Sequence, residues 1–239
     1  MNASRLPGKV LEQLGDMPAL SQMLSRVRQS SMIDDIVVAT TDTAADDRIA
    51  GWAEQEGVAC FRGSEDDVLD RVVNSHKMMS SSIIVELCGD CPLIEPAVID
   101  LAVQAFLNTD TNIVSTVIHP EFPSGVDVEV FTLTNLEWIA ANISDPLVRE
   151  HVSSYFYQQS KSYSCTALEA PQHFYAPEVR ILLDYQEDLI FLRAVFDAFQ
   201  EREQTHFGLV DVLSLLKSSG ELKKLHQLCR ERATCDASS

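Results

Sequence analysis

Long hydrophobic runs are missing from this sequence. No apolar stretch approaches the roughly 18 residues of a membrane span, and no charged start followed by an apolar segment marks a secretory leader, so a cytoplasmic location is expected. Basic residues are scarce: 18 lysines and arginines face 36 aspartates and glutamates, a formal net charge of −18 over 239 residues. Neither nucleic acid nor an anionic membrane surface is expected as a partner, since both need a basic footprint. Cysteine is limited to six positions, Cys60, Cys88, Cys91, Cys165, Cys229 and Cys235, too few to staple a chain of this length. Cys88-Gly-Asp-Cys91 has CxxC spacing, but a zinc site needs a second close pair and Cys229…Cys235 is too widely spaced. Free thiols are expected. Repeats and low-complexity segments are absent. So are the GxxxxGK[ST] phosphate loop and the GxGxxG dinucleotide fingerprint, which removes the main support for ATPase and dehydrogenase readings.

What the sequence does have is a regular alternation. Residues 18–30 place Leu20, Met23, Leu24 and Val27 on one helical face. "DIVVAT" (35–40), "VACF" (58–61), "SIIVEL" (82–87) and "NIVSTVI" (112–118) read as strands, separated by helices near 44–56, 66–79 and 96–108. Continuous apolar strands alternating with helices imply a parallel sheet covered on both faces. Later, "DVEVFTL" (127–133) and "EVRILLD" (178–184) read as strands. Helices are expected near 135–143, 147–158, 187–202, 208–217 and 220–231, with a frayed tail after Arg230. The domain reading is residues 1–205 as the α/β domain and 206–239 as a helical extension.

The polar groups fall where ligands bind such sheets, beyond the carboxyl ends of the strands. "TTDTAADD", "RGSEDDVLDR" and "CGDCPLIEP" each follow a strand, although helix capping alone puts polar residues there in any α/β fold. Asp90 lies just past an apolar strand, with Gly89 allowing a tight turn; it reads equally as a turn aspartate. Asp184 ends "VRILL" in the same manner. Upstream, "SRLPGKVL" gathers Arg5 and Lys9 around Pro7 and Gly8, and residues 1–30 are locally basic, with Arg26 and Arg28 added. A cationic loop facing two aspartates suits a magnesium–triphosphate, because magnesium takes one or two protein carboxylates and completes its shell with water and phosphate oxygens.

Taken in order, "SRLPGKVLEQLGDMPAL", "VVATTD", "FRGSEDDVLDR", "CGDCPLIEP", "SGVDVEVF", "REHV" and "LLDYQEDL" resemble the cytidylyltransferase family, which includes the synthetases of CMP-activated sugar acids and a spore-coat polysaccharide group. The resemblance covers roughly residues 1 to 200. It implies a nucleotide-diphospho-sugar transferase fold, an α/β Rossmann-like mixed sheet with an added dimerisation element, hence a homodimer. It also implies a reaction in which a sugar hydroxyl attacks the α-phosphorus of CTP and expels pyrophosphate. On that likeness Arg5 and Lys9 hold the triphosphate, beside Ser4 and Gly8, and Asp90 and Asp184 bind Mg2+. Arg62, Ser64, Asp67 and Arg71 lie near the base or sugar, while Asp127, Glu129, Arg149 and His151 border the acceptor. Taken as residues alone, Arg149–His151 also reads as the polar side of a helix, Asp127 and Glu129 as a solvated strand face, and Arg62 and Arg71 as exposed structural arginines.

Two departures stand out. The family runs a buried strand before the RLPGK loop, whereas this sequence begins inside that loop; the first central strand is therefore expected to be lacking, through either an upstream start or a truncated copy. Tyr185-Gln186 also stands where the family tends towards Thr-Pro. The rival readings are a glycosyltransferase of related fold and a non-catalytic nucleotide-binding remnant. Metal-dependent glycosyltransferases generally carry an Asp-x-Asp, which this sequence lacks; Asp127-Val-Glu129 is its nearest approach.

Overall fold

The computed structural model describes residue 1 and residues 5–237. After a loop that tightens into one 3-10 turn at Lys9–Leu11, the chain forms a small hairpin, β1 (Gln13–Leu14) with β2 (Met17–Pro18). Two-residue strands leave no alternation for a sequence reading to detect. There follow α1 (Ala19–Val27), β3 (Val37–Thr41), α2 (Asp47–Glu56), β4 (Ala59–Gly63), α3 (Val68–Met79), β5 (Ile83–Glu86), α4 (Pro96–Asn108) and β6 (Ile113–Ser115), the alternation expected from the apolar pattern. The second half supplies β7 (Glu129–Thr132), α5 (Leu133–Asn142), α6 (Pro146–Glu150), α7 (Ser154–Gln158), β8 (Cys165–Ala167), α8 (Gln186–Glu201), α9 (Leu209–Ser218) and α10 (Gly220–Ala237).

Strands β3 and β4 pair in parallel. The larger sheet has the order β5–β7–β6–β8, with β7 antiparallel to both neighbours and β6 parallel to β8. The purely parallel sheet read from the first half is thus corrected: β7 enters between β5 and β6 in the reverse direction and makes the sheet mixed.

No strand among the described residues joins β3 to β5. Between their facing edges lies a cavity of about 930 Å³, lined by Val37–Thr40 on one side and Ile83–Glu86 on the other. Leu20, Met23, Leu24 and Val27 of α1 and Val68, Val72 and Ser75 of α3 also line it. Two strand edges and two covering helices are what surrounds a central strand in a doubly covered sheet, so the slot lies where the expected first strand would run.

The core is contiguous from Leu14 and α1 through α4 and β7 to α8, α9 and α10, ending at Cys229. A second cluster, around Leu69, Ile84, Phe131, Leu136 and Phe156, packs α3 and α5 against the other face. α10 is helical through Ala237, past the point where the sequence reading lets the chain fray. Two further expectations change. The helix read over 147–158 is broken into α6 and α7 around His151–Ser153. The strand read over 178–184 is corrected to a single parallel bridge, Ser124 with Arg180: Ser124 N–H donates to Val179 O (2.9 Å) and Ile181 N–H to Ser124 O (2.8 Å), and further on Leu183 N–H donates to Asp90 O (2.9 Å). Val179, Ile181 and Leu183 are buried, which reproduces the alternation of a strand with loops in place of a ladder. No helix among the described residues is long and apolar enough to cross a membrane. Cys60, Cys88, Cys91, Cys165 and Cys229 are free thiols.

Candidate active site

The cationic loop is built on Gly8, whose φ of 75° is left-handed and whose N–H donates to Met1 O at 3.0 Å. A side chain is strained in that backbone conformation, and a Cβ would stand 3.1 Å from Met1 Cε. The turn that follows carries Lys9 inward. Its Nζ donates to Asp90 Oδ2 at 2.7 Å and to Asp184 Oδ1 at 2.8 Å, so one ammonium joins two carboxylates 94 residues apart in sequence. Arg5 donates from Nη1 to Asp184 Oδ2 at 2.6 Å and from Nε to Asp236 Oδ2 at 2.9 Å. Ser4 lies outside the described residues.

The two aspartates are held from behind. Asp90 sits in the turn after β5, where Cys91 N–H donates to Cys88 O. Gly89 is not among the positive-φ residues and a Cβ there would meet only ordinary contacts, so the turn does not require glycine as the sequence suggested. Asp184 precedes α8. The backbone N–H groups of Asp184 and Tyr185 both donate to Asp188 Oδ2 at 2.9 Å, and Arg180 clamps the same carboxylate from Nε and Nη2 at 2.9 and 2.7 Å. Asp188 is buried and belongs to the capping box that starts α8. Sequence reasoning missed it, although a polar side chain at the third helical position after "LLDY" is the available signal.

Charge follows geometry. Burial by itself would raise the Asp184 carboxyl, but the hydrogen bond and charge of Lys9, then of Arg5, hold it below its ordinary value. Burial would likewise lower Lys9, yet Asp90 and Asp184 keep its pKa raised. Beside them the balance reverses. Asp127 is pushed up to about 6 by burial and by the charges of Asp90 and Glu129. Glu86, opposite Glu129 in the β5–β7 register, rises to about 8 through burial and then Glu129, and its Oε2 is buried without a partner. The Tyr157 hydroxyl and, at 3.4 Å, Ser115 Oγ both donate to Glu129. Neither Glu86 nor Tyr157 was singled out from sequence.

The structure thus brings Arg5, Lys9, Asp90 and Asp184 together, with Asp127 and Glu129 alongside. Other candidates are engaged elsewhere. Arg62 donates to Thr41 O at 3.0 Å and Thr43 O at 2.8 Å and pairs with Asp47 at 2.8 Å, closing the β3–α2 loop. Arg71 donates to Ser64 O and lines the slot. Asp67 caps α3 through Asp70 N–H and takes up Arg149, whose Nη1 also reaches Ala140 O at 2.7 Å. His151 is exposed at the end of α6. Of the two further basic residues of the N-terminal stretch, Arg28 pairs with Glu56 and Arg26 is buried over the Phe207 ring; neither joins the loop.

Residues 1–233 match the family model described as cytidylyltransferase. The chain belongs to the cytidylyltransferase family. It is 34% identical over 236 residues to an uncharacterized protein of Methanocaldococcus jannaschii, covering 97% of this chain and 93% of that one. It is also 34% identical to the spore coat polysaccharide biosynthesis protein SpsF of Bacillus subtilis, over 84% of this chain and 85% of the relative. Among solved structures, a cytidylyltransferase from Leptospira borgpetersenii superposes with a TM-score of 0.84 at 31% identity, covering 93% of this chain and 92% of that chain. The likeness carries the fold as well as the family: an α/β mixed sheet of the nucleotidyltransferase kind.

Proposed function

We propose that this cytidylyltransferase-family chain joins CMP from CTP to a hydroxyl of a sugar or sugar acid and releases pyrophosphate. The sugar hydroxyl gives up its proton to water as its oxygen forms a bond to the α-phosphorus, the bond from that phosphorus to the oxygen bridging the α- and β-phosphates breaks, and pyrophosphate leaves with the electron pair. The observation that carries the reading is the single Lys9 ammonium held between Asp90 and Asp184 under Arg5. It sets two cationic side chains, available to phosphate oxygens, beside two convergent carboxylates. Lys9 and Arg5 neutralise and orient the triphosphate, and catalysis of this kind is mostly positioning plus charge stabilisation.

Magnesium fits the donor set. Two carboxylates that already converge on one cation supply hard oxygen ligands of the number this ion takes from protein, and Asp90 and Asp184 would hold it. When bound there it would supply charge neutralisation on the phosphoryl oxygens. The spore-coat relative supports a product destined for a surface polysaccharide or glycan, and we carry the homodimer implied by the resemblance as part of the proposal, to be read by sedimentation.

The test is pyrophosphate release from CTP, UTP, ATP or GTP with magnesium, against a panel of sugars and sugar acids. Release with CTP that requires the added sugar is expected. Sugar transfer from a nucleotide sugar, or tight CTP binding without turnover, would overturn the proposal in favour of a glycosyltransferase or a non-catalytic binder respectively.

A further inference from the structure

The end of α10 returns to the loop at the start of the chain. An 18-residue helix spans about 27 Å, and Leu222, His226, Cys229, Arg232 and Asp236 recur along it at the i+3 and i+4 spacing of one face. Leu222, His226 and Cys229 are buried, and His226 Nε2 accepts the Arg180 N–H at 2.9 Å. That anchoring carries the last turn to Tyr185, the residue after Asp184. The Tyr185 hydroxyl donates to Asp236 Oδ2 at 2.7 Å, and the same oxygen accepts Arg5 Nε at 2.9 Å. The guanidinium groups of Arg5 and Arg232 stand 5.2 and 5.1 Å from the centre of the Tyr185 ring.

From this we infer that Asp236 is a positioning residue for Arg5, fixing its guanidinium over the nucleotide site from the far end of the chain. The inference rests on the reading of that site as a nucleotide-triphosphate site. Arg5 has two carboxylate partners, of which Asp184 faces the proposed metal and Asp236 does not. When Asp184 turns to a cation, Asp236 still holds Nε and leaves the two Nη atoms free for phosphate oxygens, which suit the planar guanidinium fork. Arg5 is 48% exposed; the Tyr185 ring flanks its guanidinium, and the hydrogen bonds to Asp184 and Asp236 set how it is turned. Asp236 in turn is fixed by a tyrosine that is only 5% exposed.

The experiment is a double-mutant cycle on the full chain, with CTP and magnesium as the probe in a calorimetric titration. Asp236→Asn is expected to weaken CTP binding by roughly 5–20-fold, the scale of coupling between contacting residues. Asp236→Glu should recover most of that loss, and Tyr185→Phe should weaken binding in the same direction. In an Arg5→Ala background, Asp236→Asn should change affinity by less than about two-fold. The melting temperature should stay put in Asp236→Asn, since an exposed ion pair contributes little to stability. Unchanged affinity in Asp236→Asn, an undiminished loss in the Arg5→Ala background, or tighter binding (a tail that competes with the nucleotide) would each overturn the inference. A wild-type chain that binds no nucleoside triphosphate would overturn the nucleotide reading and this inference with it. A wild type that binds CTP with a flat cycle would sink this inference alone.

Discussion

At the scale of single residues the site is a set of opposed pKa shifts. Lys9 is the group whose removal tests the chemistry most directly. Losing one preorganised donor at a developing charge costs on the order of 10²–10³ in rate, so Lys9→Ala should reduce kcat/KM for CTP by about that factor, measured by pyrophosphate release. Glu86 gives a separate test by stability. Its carboxyl is raised to about 8 from an ordinary 4.5, so its contribution to folding is fully present below the ordinary value and is lost as pH rises through about 8. Glu86→Gln holds no such charge. The melting temperature of the wild type should therefore fall relative to Glu86→Gln between pH 5 and 9, by at least about 2–4 °C, the shift expected for 1 kcal/mol in a chain of this size. Parallel melting curves across that range would show that the buried carboxylate ionises at no cost. Lys9, Asp90 and Asp184 were legible because each follows a pattern with a physical reason: a Gly-Pro loop, or an apolar strand that stops at an acid. Asp236 was not, because nothing local separates it from a solvated acid near a chain end, and its role exists only once α10 has folded against α8.

At the scale of elements the site depends on how the extended segment 178–184 is held. Gly125, at φ 104°, lets the 124–127 loop lie directly against it: a Cβ there would come within 2.8 Å of Ile181 C and Leu182 N. Both a strained dihedral and a backbone overlap follow from any side chain. Gly125→Ala should destabilise by about 2–4 kcal/mol, seen as a lower urea midpoint with an unchanged slope, and should lower CTP affinity because Asp184 ends the displaced segment. The same segment shows why element type was misread there. Buried Val179, Ile181 and Leu183 alternate with polar or partly exposed neighbours, and period two is the strand signal, but the hydrogen-bonding partners are loops distant in sequence. By contrast β3, β4 and β5 were legible, since each apolar run is bounded by a helix whose own apolar face is clear. β8, with three residues, offered too little pattern.

At the scale of the whole molecule the sheet is two pieces with a slot between them. β7 is paired on both sides, by β5 and β6, whereas among the described residues β3 and β5 each pair on one side only. Amides of β7 should therefore be protected in hydrogen exchange, while alternate amides of β3 and β5, those facing the slot, exchange orders of magnitude faster. Uniform protection across β3 and β5 would mean that the slot is closed in solution. The slot's lining by α1 and α3 was not legible, because it depends on how helices distant in sequence pack over two strand edges. The Lys9 bridge has a consequence of its own for how ligands load. A polyanion arriving alone must draw the ammonium away and leave Asp90 and Asp184 facing its own charge, and a divalent ion arriving alone must push that ammonium aside. Each relieves the other's penalty, so nucleotide and metal should act as a heterotropic pair, each tightening the other by the same factor.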